Sequence, residues 1–552
     1  MTATYTAADE PVDAVIVGSG FGGSVSAFRF GQAKMRAVLL ERGGKWPPGS
    51  FPRSPQEITD RLYWDPSRGK FGIFNIWSFR KMEALVSAGL GGGSLIYANV
   101  LLRKEPGWFS DADGRAWPVT YDDLVPHYER VEAAIGWEHY PFEDEPYASV
   151  PKIRAFRDAV AANGWEFERA PLAVAFGTEP GREFGGVDNV HGAVRRTCVL
   201  CGECDVGCNV GAKNTLDWTY LSTPEVRDWV DVRTSCEVRT IAPDRERGRG
   251  YIVRYVRHDL DAAPGPRDTS SLPLETVRTD RLVLGAGSIG TTWLLLRNRS
   301  AFAGLGPALG TRFCGNGDLL GFVTRSPRFL DPSSGPVITG FVKRDGPAGR
   351  GHYVQDAGYP EFLNWAWQVQ PGPALVGRVA RFAAGLARAR ITGRGHSDLT
   401  GGIGVLLGEQ KSGHLMPMLG MGRDVPDGTF SLRNGELDLA WSMKTSLPYF
   451  LAVRATMKAL ATGLGAHFRD NPSWWFRRII ATHPVGGCPM GTDPSAGVVD
   501  AFGRVWRYPG MFIADGSVVP GPVGANPSLT IAALADRFAD RMVEPVHEAP
   551  AP

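Results

Sequence analysis

The chain has no run of about 18 apolar residues, the length a helix needs to cross a bilayer, so no membrane-spanning segment is expected. It has almost no net charge. Sixty Lys and Arg against 58 Asp and Glu leave +2, which gives no electrostatic reason to expect a nucleic-acid partner. The segment Met1 to Pro11 is polar and acidic, without a basic flank or an apolar stretch. It does not read as a secretory signal, and the default expectation is the cytoplasm. Cysteine is scarce: seven occur in 552 residues, four of them within eleven positions, which is unlike a disulfide framework. There is no internal repeat and no long low-complexity tract, and the tail from Glu544 to Pro552 reads as frayed. What is present is a globular composition, 43% hydrophobic and 21% charged, in a chain long enough for an ample core and more than one domain.

The most informative stretch lies within the first 45 residues. Val12 to Val17 is a short apolar, β-branched run that reads as a strand buried on both faces. Gly18-Ser19-Gly20-Phe21-Gly22-Gly23 follows at once, a helical pattern starts near Ser24, and a second apolar run, Ala37 to Leu40, ends in Glu41. The order strand, G-x-G-x-x-G, helix, strand, acid is the dinucleotide fingerprint. Gly18 permits the tight turn, Gly20 lets the backbone approach a pyrophosphate at the positive end of the helix, and Gly23 allows helix and strand to pack closely. Glu41 is placed to accept hydrogen bonds from a ribose. With 69 glycines in the chain, a glycine triplet alone says little; the flanking strand, helix and acid carry the reading. The fingerprint does not separate FAD from NAD.

Further along, Arg42 to Arg80 reads as irregular covering structure. Ala88 to Ser94 holds four glycines in seven residues, which excludes a regular element and lets backbone touch something flat or charged. Thr120 to Gly136 is expected to be a helix capped by Thr120, with Leu124, Tyr128, Val131 and Ile135 as its apolar stripe. Glu138 to Arg196 is irregular and is taken as the start of a second domain. Asp280 to Gly290 is a second strand entering a glycine turn, with a helix to Arg297. No clear acid lies beyond it, so it reads as the same domain revisited. Short strand-like runs between about 315 and 470, such as Gly351 to Asp356 and Thr429 to Trp441, suggest a mixed or antiparallel sheet walling a substrate cavity. Leu375 to Arg394 is an amphipathic helix candidate. Its readings are a helix lying on the domain, a peripheral membrane contact or a lid.

Near the end, His483 sits in a glycine-rich, otherwise apolar loop, Thr482 to Gly491. Asn526-Pro527 reads as the N-cap and first turn of a helix running to about Val543. Each residue alone also has a bland reading, as a satisfied structural histidine and as a cap.

Together these stretches resemble the glucose–methanol–choline (GMC) oxidoreductases, FAD enzymes that oxidise alcohols, over nearly the whole chain. The resemblance rests on the first fingerprint, the Gly89 to Ser94 loop, the strand and turn at Gly285 to Gly290, and the segment from His483 to Thr530. His483 and Asn526 are 43 residues apart, a family-like spacing. Their identities, with the Leu90 to Asn99 loop, are similar to the cholesterol-oxidase-like branch. The resemblance implies an α/β fold: a Rossmann-like FAD-binding domain, residues 1–137, 196–314 and 471–552, with an inserted α+β substrate domain, 138–195 and 315–470, on a mixed or antiparallel sheet. It implies that Gly18, Gly20, Phe21, Gly22, Gly23 and Glu41 hold the ADP half of FAD. Gly91, Gly92, Ser94 and Asn99 would lie along the pyrophosphate and flavin, the Val238 backbone would meet the adenine, and Asp515 and Gly516 would contact the ribityl region. His483 as general base and Asn526 would face the substrate carbinol beside the flavin, Asn526 also touching the cofactor. The implied substrate is a bulky, fairly apolar, sterol-like alcohol. The implied electron acceptor is oxygen or a redox partner. Alternatives are a sugar or polyol dehydrogenase, and a flavoprotein whose flavin is structural or carries electrons only. Glu361 and Glu409 are candidates for the extra acid of the steroid branch.

Cys198, Cys201, Cys204 and Cys208 have the spacing of a bacterial ferredoxin run, except that Asn209 replaces the usual proline. An iron–sulfur cluster, a zinc site, and free thiols or a disulfide all stay open. Gly207, Gly211 and Lys213 would equally suit a tight loop near the substrate entrance.

Overall fold

A computed structural model describes residues 10–110, 114–261, 265–360 and 412–546. The amphipathic candidate at 375–394, Glu361 and Glu409 lie outside the described residues. No helix among the described residues is long and apolar enough to cross a membrane.

The fingerprint builds what its pattern predicts. Val12–Val17 is a fully embedded strand, Phe21–Gln32 is the helix, and Ala37–Leu40 is the second strand, parallel to the first with Ala14 opposite Ala37. The second strand-and-turn unit joins the same sheet. Leu274–Leu284 runs parallel to the first strand on its other side, with Val17 opposite Leu284. Val230–Arg233 and Met511–Ile513 extend the parallel set at either end. The first half of Leu274–Leu284 also pairs antiparallel with Tyr251–Arg257, which in turn pairs with Cys236–Pro243. One seven-stranded mixed sheet results. The apolar β-branched runs lie at its centre, and the helix Phe21–Gln32 packs against four of its strands. The closing helix, Ser528–Met542, packs against both Phe21–Gln32 and Tyr121–Ile135.

A second, six-stranded sheet is wholly antiparallel, in the order 467–470, 319–324, 416–422, 352–356, 340–344 and 168–169. The helix Leu447–Gly463 packs against it. The sequence reading expected short strand-like runs at Gly351 to Asp356 and Thr429 to Trp441; the first is the strand His352–Asp356, and the second folds into an antiparallel pair, Thr429–Arg433 with Glu436–Ala440. It did not expect Leu447–Gly463, nor Pro151–Ala162 inside the stretch read as irregular. Neither helix has a side-chain N-cap bond, so the usual start signal is missing. Ile153, Phe156 and Val160 nonetheless form a buried helical stripe. The helix Tyr121–Ile135 is as expected, with a capping box between Thr120 and Asp123.

Candidate active site

The nucleotide end of the site is built from backbone. Gly18 has φ +94°, a left-handed conformation that other residues rarely adopt. A Cβ on Gly23 would lie 1.9 Å from the Gly18 carbonyl oxygen, and one on Gly22 1.3 Å from that of Ala514, so both glycines serve close packing of the helix. A Cβ on Gly20 meets nothing within 4 Å, because this position opens onto a cavity at the N-terminus of Phe21–Gln32. Glu41 is buried at the far side of the turn. It accepts hydrogen bonds from the Ser19 amide at 3.1 Å, the Ser19 hydroxyl at 2.6 Å and the Gly43 amide at 2.9 Å. Oε2 takes both bonds from Ser19, and Oε1, with the one from Gly43, keeps a further acceptor position. Val238 lines the cavity beside a β-bulge between Val238 and Thr240.

The Ala88–Ser94 loop lies on this turn; a Cβ on Gly92 would come within 2.5 Å of the Gly20 Cα. Its anchor is Ser19, whose hydroxyl accepts the Gly91 amide at 3.0 Å. Ser94 is fully buried, donating to the Gly91 carbonyl and accepting from the Leu216 amide. Asp515 joins the end of Met511–Ile513 to the second glycine turn. It accepts from the Gly287 amide at 2.9 Å, the Thr291 hydroxyl at 2.5 Å and the Ser517 amide at 2.8 Å. Burial raises its pKa above the ordinary carboxylate value.

At the other end His483 and Asn526 meet the same cavity. The His483 ring is held by Asp318, Nδ1 to Oδ1 at 2.8 Å, while Asp318 Oδ2 accepts from the backbone amides of Thr482 and His483. This arrangement fixes Nδ1 as the protonated nitrogen and leaves Nε2 as the acceptor. Asn526 corrects the sequence reading. The helix starts at Ser528 and Asn526 makes no cap bond; its Oδ1 instead accepts from Gln355 Nε2 at 2.8 Å. A fully buried neighbour, Gln355 on the antiparallel sheet, has claimed the oxygen a cap would have used.

Behind Asp318, the fully buried Asp424 accepts from the Gly315 amide at 3.3 Å. Burial pushes its carboxyl up to about 7. Unfolded, it titrates near about 4. Between these values the folded chain holds a proton that the unfolded chain has lost, so stability falls as pH rises from about 4 to about 7. Asp424→Asn is expected to flatten this part of the stability profile, read from urea midpoints across that range; an unchanged slope refutes the assignment.

The cavity joining the two ends has a volume of about 950 Å³, at the top of the range of about 300–1,000 Å³ for small-molecule sites. Gly18, Gly20, Phe21, Gly22, Glu41, Gly92, Val238, His483, Asp515, Gly516 and Asn526 all line it. Gly23, Gly91, Ser94 and Asn99 are not among the lining residues; the first three shape the turn and loop that do line it. Asn99, at φ +69°, lies between the lining residues Ala98 and Val100, and neither of its buried amide atoms has a hydrogen-bond partner. The open Gly20 cradle at a helix N-terminus, with Glu41 buried beside it, fits FAD. Beyond the glycine turns the walls are apolar, with Leu320, Phe322, Val337, Ile338, Pro417 and Leu419 on the antiparallel-sheet side. Asp318, Gln355 and Asp205 escaped the sequence reading; the first two lie over 160 residues from the side chains they hold.

Among the described residues no group of three His, Cys, Asp or Glu side chains is arranged to hold a metal ion, and Cys198, Cys201, Cys204 and Cys208 are all free thiols. This geometry does not support the iron–sulfur or the zinc reading. Cys198 is buried, Cys204 and Cys208 are half-buried, and Cys201 is exposed. The segment works as a tight loop: the buried Lys213 ammonium donates to the carbonyls of Leu95, Tyr97 and Cys204. Burial lowers its pKa to about 8.

A glycine-turn sheet, an antiparallel sheet and a histidine–asparagine pair thus meet at one cavity. Residues 457–535 match the family described as GMC oxidoreductase. That match and the curated relatives over nearly the full chain make this chain similar to the GMC oxidoreductases, and support an FAD-dependent oxidoreductase acting on alcohol groups. It is 29% identical to a cholesterol oxidase of Mycobacterium tuberculosis, over 96% of this chain and 90% of that protein. It is 26% identical to a cholesterol oxidase of Acinetobacter baumannii, over 95% and 93%. Among solved structures, pyridoxine 4-oxidase from "Mesorbium loti" shares the fold, with a TM-score of 0.57 and 17% identity over 96% of this chain and 99% of that one.

Proposed function

We propose that the protein oxidises the CH–OH group of a bulky, largely apolar, sterol-like alcohol, with His483 as general base. The observation that carries this reading is the His483 ring locked by Asp318 on the wall of the cavity that also holds the dinucleotide turn. FAD, when bound, supplies the acceptor for the hydride that leaves the carbinol carbon. Gly18, Gly20, Phe21, Gly22, Gly23, Glu41 and the Val238 backbone hold its ADP half. Gly91, Gly92, Ser94, Asn99, Asp515, Gly516 and Asn526 shape the remainder of its site.

The substrate hydroxyl donates its hydrogen bond to His483 Nε2, and the Asn526 amide donates to the same oxygen. As the carbinol carbon is oxidised, Nε2 takes the hydroxyl proton. The Asp318 carboxylate beside Nδ1–H stabilises the imidazolium that forms. Gln355 keeps the Asn526 oxygen turned away, so its NH₂ is the group offered to the substrate. The apolar sheet wall supports a hydrophobic substrate body.

The domain division proposed with this reading is 1–137, 196–314 and 471–552 for FAD, and 138–195 and 315–470 for the substrate. Pairing of Gly340 and Phe341 with Arg169 and Glu168, which joins the two substrate segments in one sheet, supports it.

An anaerobic screen of sterols, long-chain alcohols and sugars tests the reading. Sterols or long-chain alcohols are expected to bleach the oxidised-flavin absorbance fastest. Failure of every alcohol to bleach it would leave a flavin without alcohol chemistry and refute the proposal. Peroxide formation in air separates oxygen from a redox partner as the electron acceptor.

A further inference from the structure

Four carboxylates line the cavity, and three are satisfied by the protein. Glu41 is held by Ser19 and Gly43, Glu237 by Arg239 and His258, and Asp515 by Gly287, Thr291 and Ser517. Asp205 differs: its Oδ1 is buried and has no hydrogen-bond partner. Lys213, Arg53 and Lys152 act on its charge from nearby, but the hydrogen bonds described for them go to other acceptors. Lys213 donates to three carbonyls, Lys152 to those of Pro336 and Val337, and Arg53 to Glu203 and to the carbonyls of Val206 and Gly207.

The turn that carries it, Cys204–Val206, is fastened on two sides. Lys213 ties Cys204 to Leu95 and Tyr97, and the Gly335 amide donates to Leu200 at 2.9 Å. Its neighbours on the cavity wall, Val206, Val337 and Ile338, are apolar. None of the hydrogen bonds described for His483, Asp318, Asn526 or Gln355 involves it, so it is a polar point of the chamber separate from that network. A buried acceptor with no internal partner is costly unless something enters to satisfy it.

We propose that Asp205 binds a hydrogen-bond donor of the substrate separate from the carbinol oxidised at His483 and Asn526. The preferred substrates are then two-ended alcohols, an apolar body with a second hydroxyl or an ammonium away from the reacting carbon. This rests on the proposed function and adds its substrate class: a merely apolar chamber would favour the one-ended alcohol.

The test compares alcohols matched except for the remote donor, by anaerobic flavin reduction: a sterol with and without a second hydroxyl on its far ring, and dodecanol against dodecanediol and aminododecanol. In at least one pair the two-ended alcohol is expected to be favoured by about tenfold or more in efficiency, the scale of a hydrogen bond to a charged acceptor. Asp205→Leu is expected to bring that ratio to within about twofold, because a leucine accepts nothing, while the one-ended alcohol still reduces the flavin. Asp205→Asn keeps one acceptor oxygen without charge, so it retains preference for a hydroxyl and loses preference for an ammonium. This separates the two donors. If the leucine variant fails to hold flavin, the wild-type ratio and the asparagine variant decide. A wild type with no such preference in any pair, or a preference that survives the change to leucine, overturns the role of Asp205 and leaves His483 untouched. If no alcohol reduces the flavin at all, the proposed function falls and this inference falls with it.

Discussion

His483→Ala is expected to lower the rate constant for flavin reduction by about 10²-fold or more, the usual scale for loss of a general base, with FAD still bound. Among the described residues, the groups that hold it are not placed to take over. Asp318 is the nearest base, but its Oδ2 already accepts from the Thr482 and His483 backbone and from the Thr482 hydroxyl, and its Oδ1 faces the ring. The Asn526 amide has no basic nitrogen. The cofactor cradle is built from other elements, the turn at Gly18 to Gly23 and the segment around Asp515, so the loss falls on chemistry rather than on loading. Anaerobic stopped-flow reduction, with the flavin-to-protein absorbance ratio as the loading control, measures it. An unchanged rate with full loading removes His483 from the role.

Asp318→Asn is expected to lower kcat by roughly 10²-fold, with little change in KM. Asparagine nearly preserves the shape and can still accept from the Thr482 and His483 amides through its oxygen. Its NH₂ then faces Nδ1 and donates, which moves the ring proton to Nε2. A protonated Nε2 cannot accept the substrate hydroxyl. Asp318 is thus a positioning residue: it acts through His483 and does not touch the substrate. If its role were only to brace the loop, thermal stability and KM would change and kcat would not. Melting temperature, KM and kcat measured together separate the two cases, and a variant with normal kcat refutes the positioning role.

Much of this molecule was legible because its signals are local. The strand at Val12, the glycine turn, the helix and Glu41 lie within 30 residues, and each part constrains the next. The Thr120 helix carried its own cap and stripe. The helices at Pro151 and Leu447 did not: each has a proline within its first two positions and no capping side chain, so they declare themselves only through packing. Asn526-Pro527 shows the converse. The local signal was a cap, and a buried glutamine from another sheet overrode it. The four cysteines followed the same pattern, since spacing alone cannot say whether a chain turns its sulfurs toward one point.

The sequence by itself determined the nucleotide half of the site, because a pyrophosphate is met by backbone in a turn whose geometry only glycines permit. It also named the histidine and the asparagine. The tertiary structure alone decided how those two side chains are held, by Asp318 and Gln355, and which carboxylate, Asp205, was left facing the chamber unsatisfied. Hydrogen bonds between residues more than a hundred positions apart leave no periodicity in a chain; they exist only once two sheets close over one cavity.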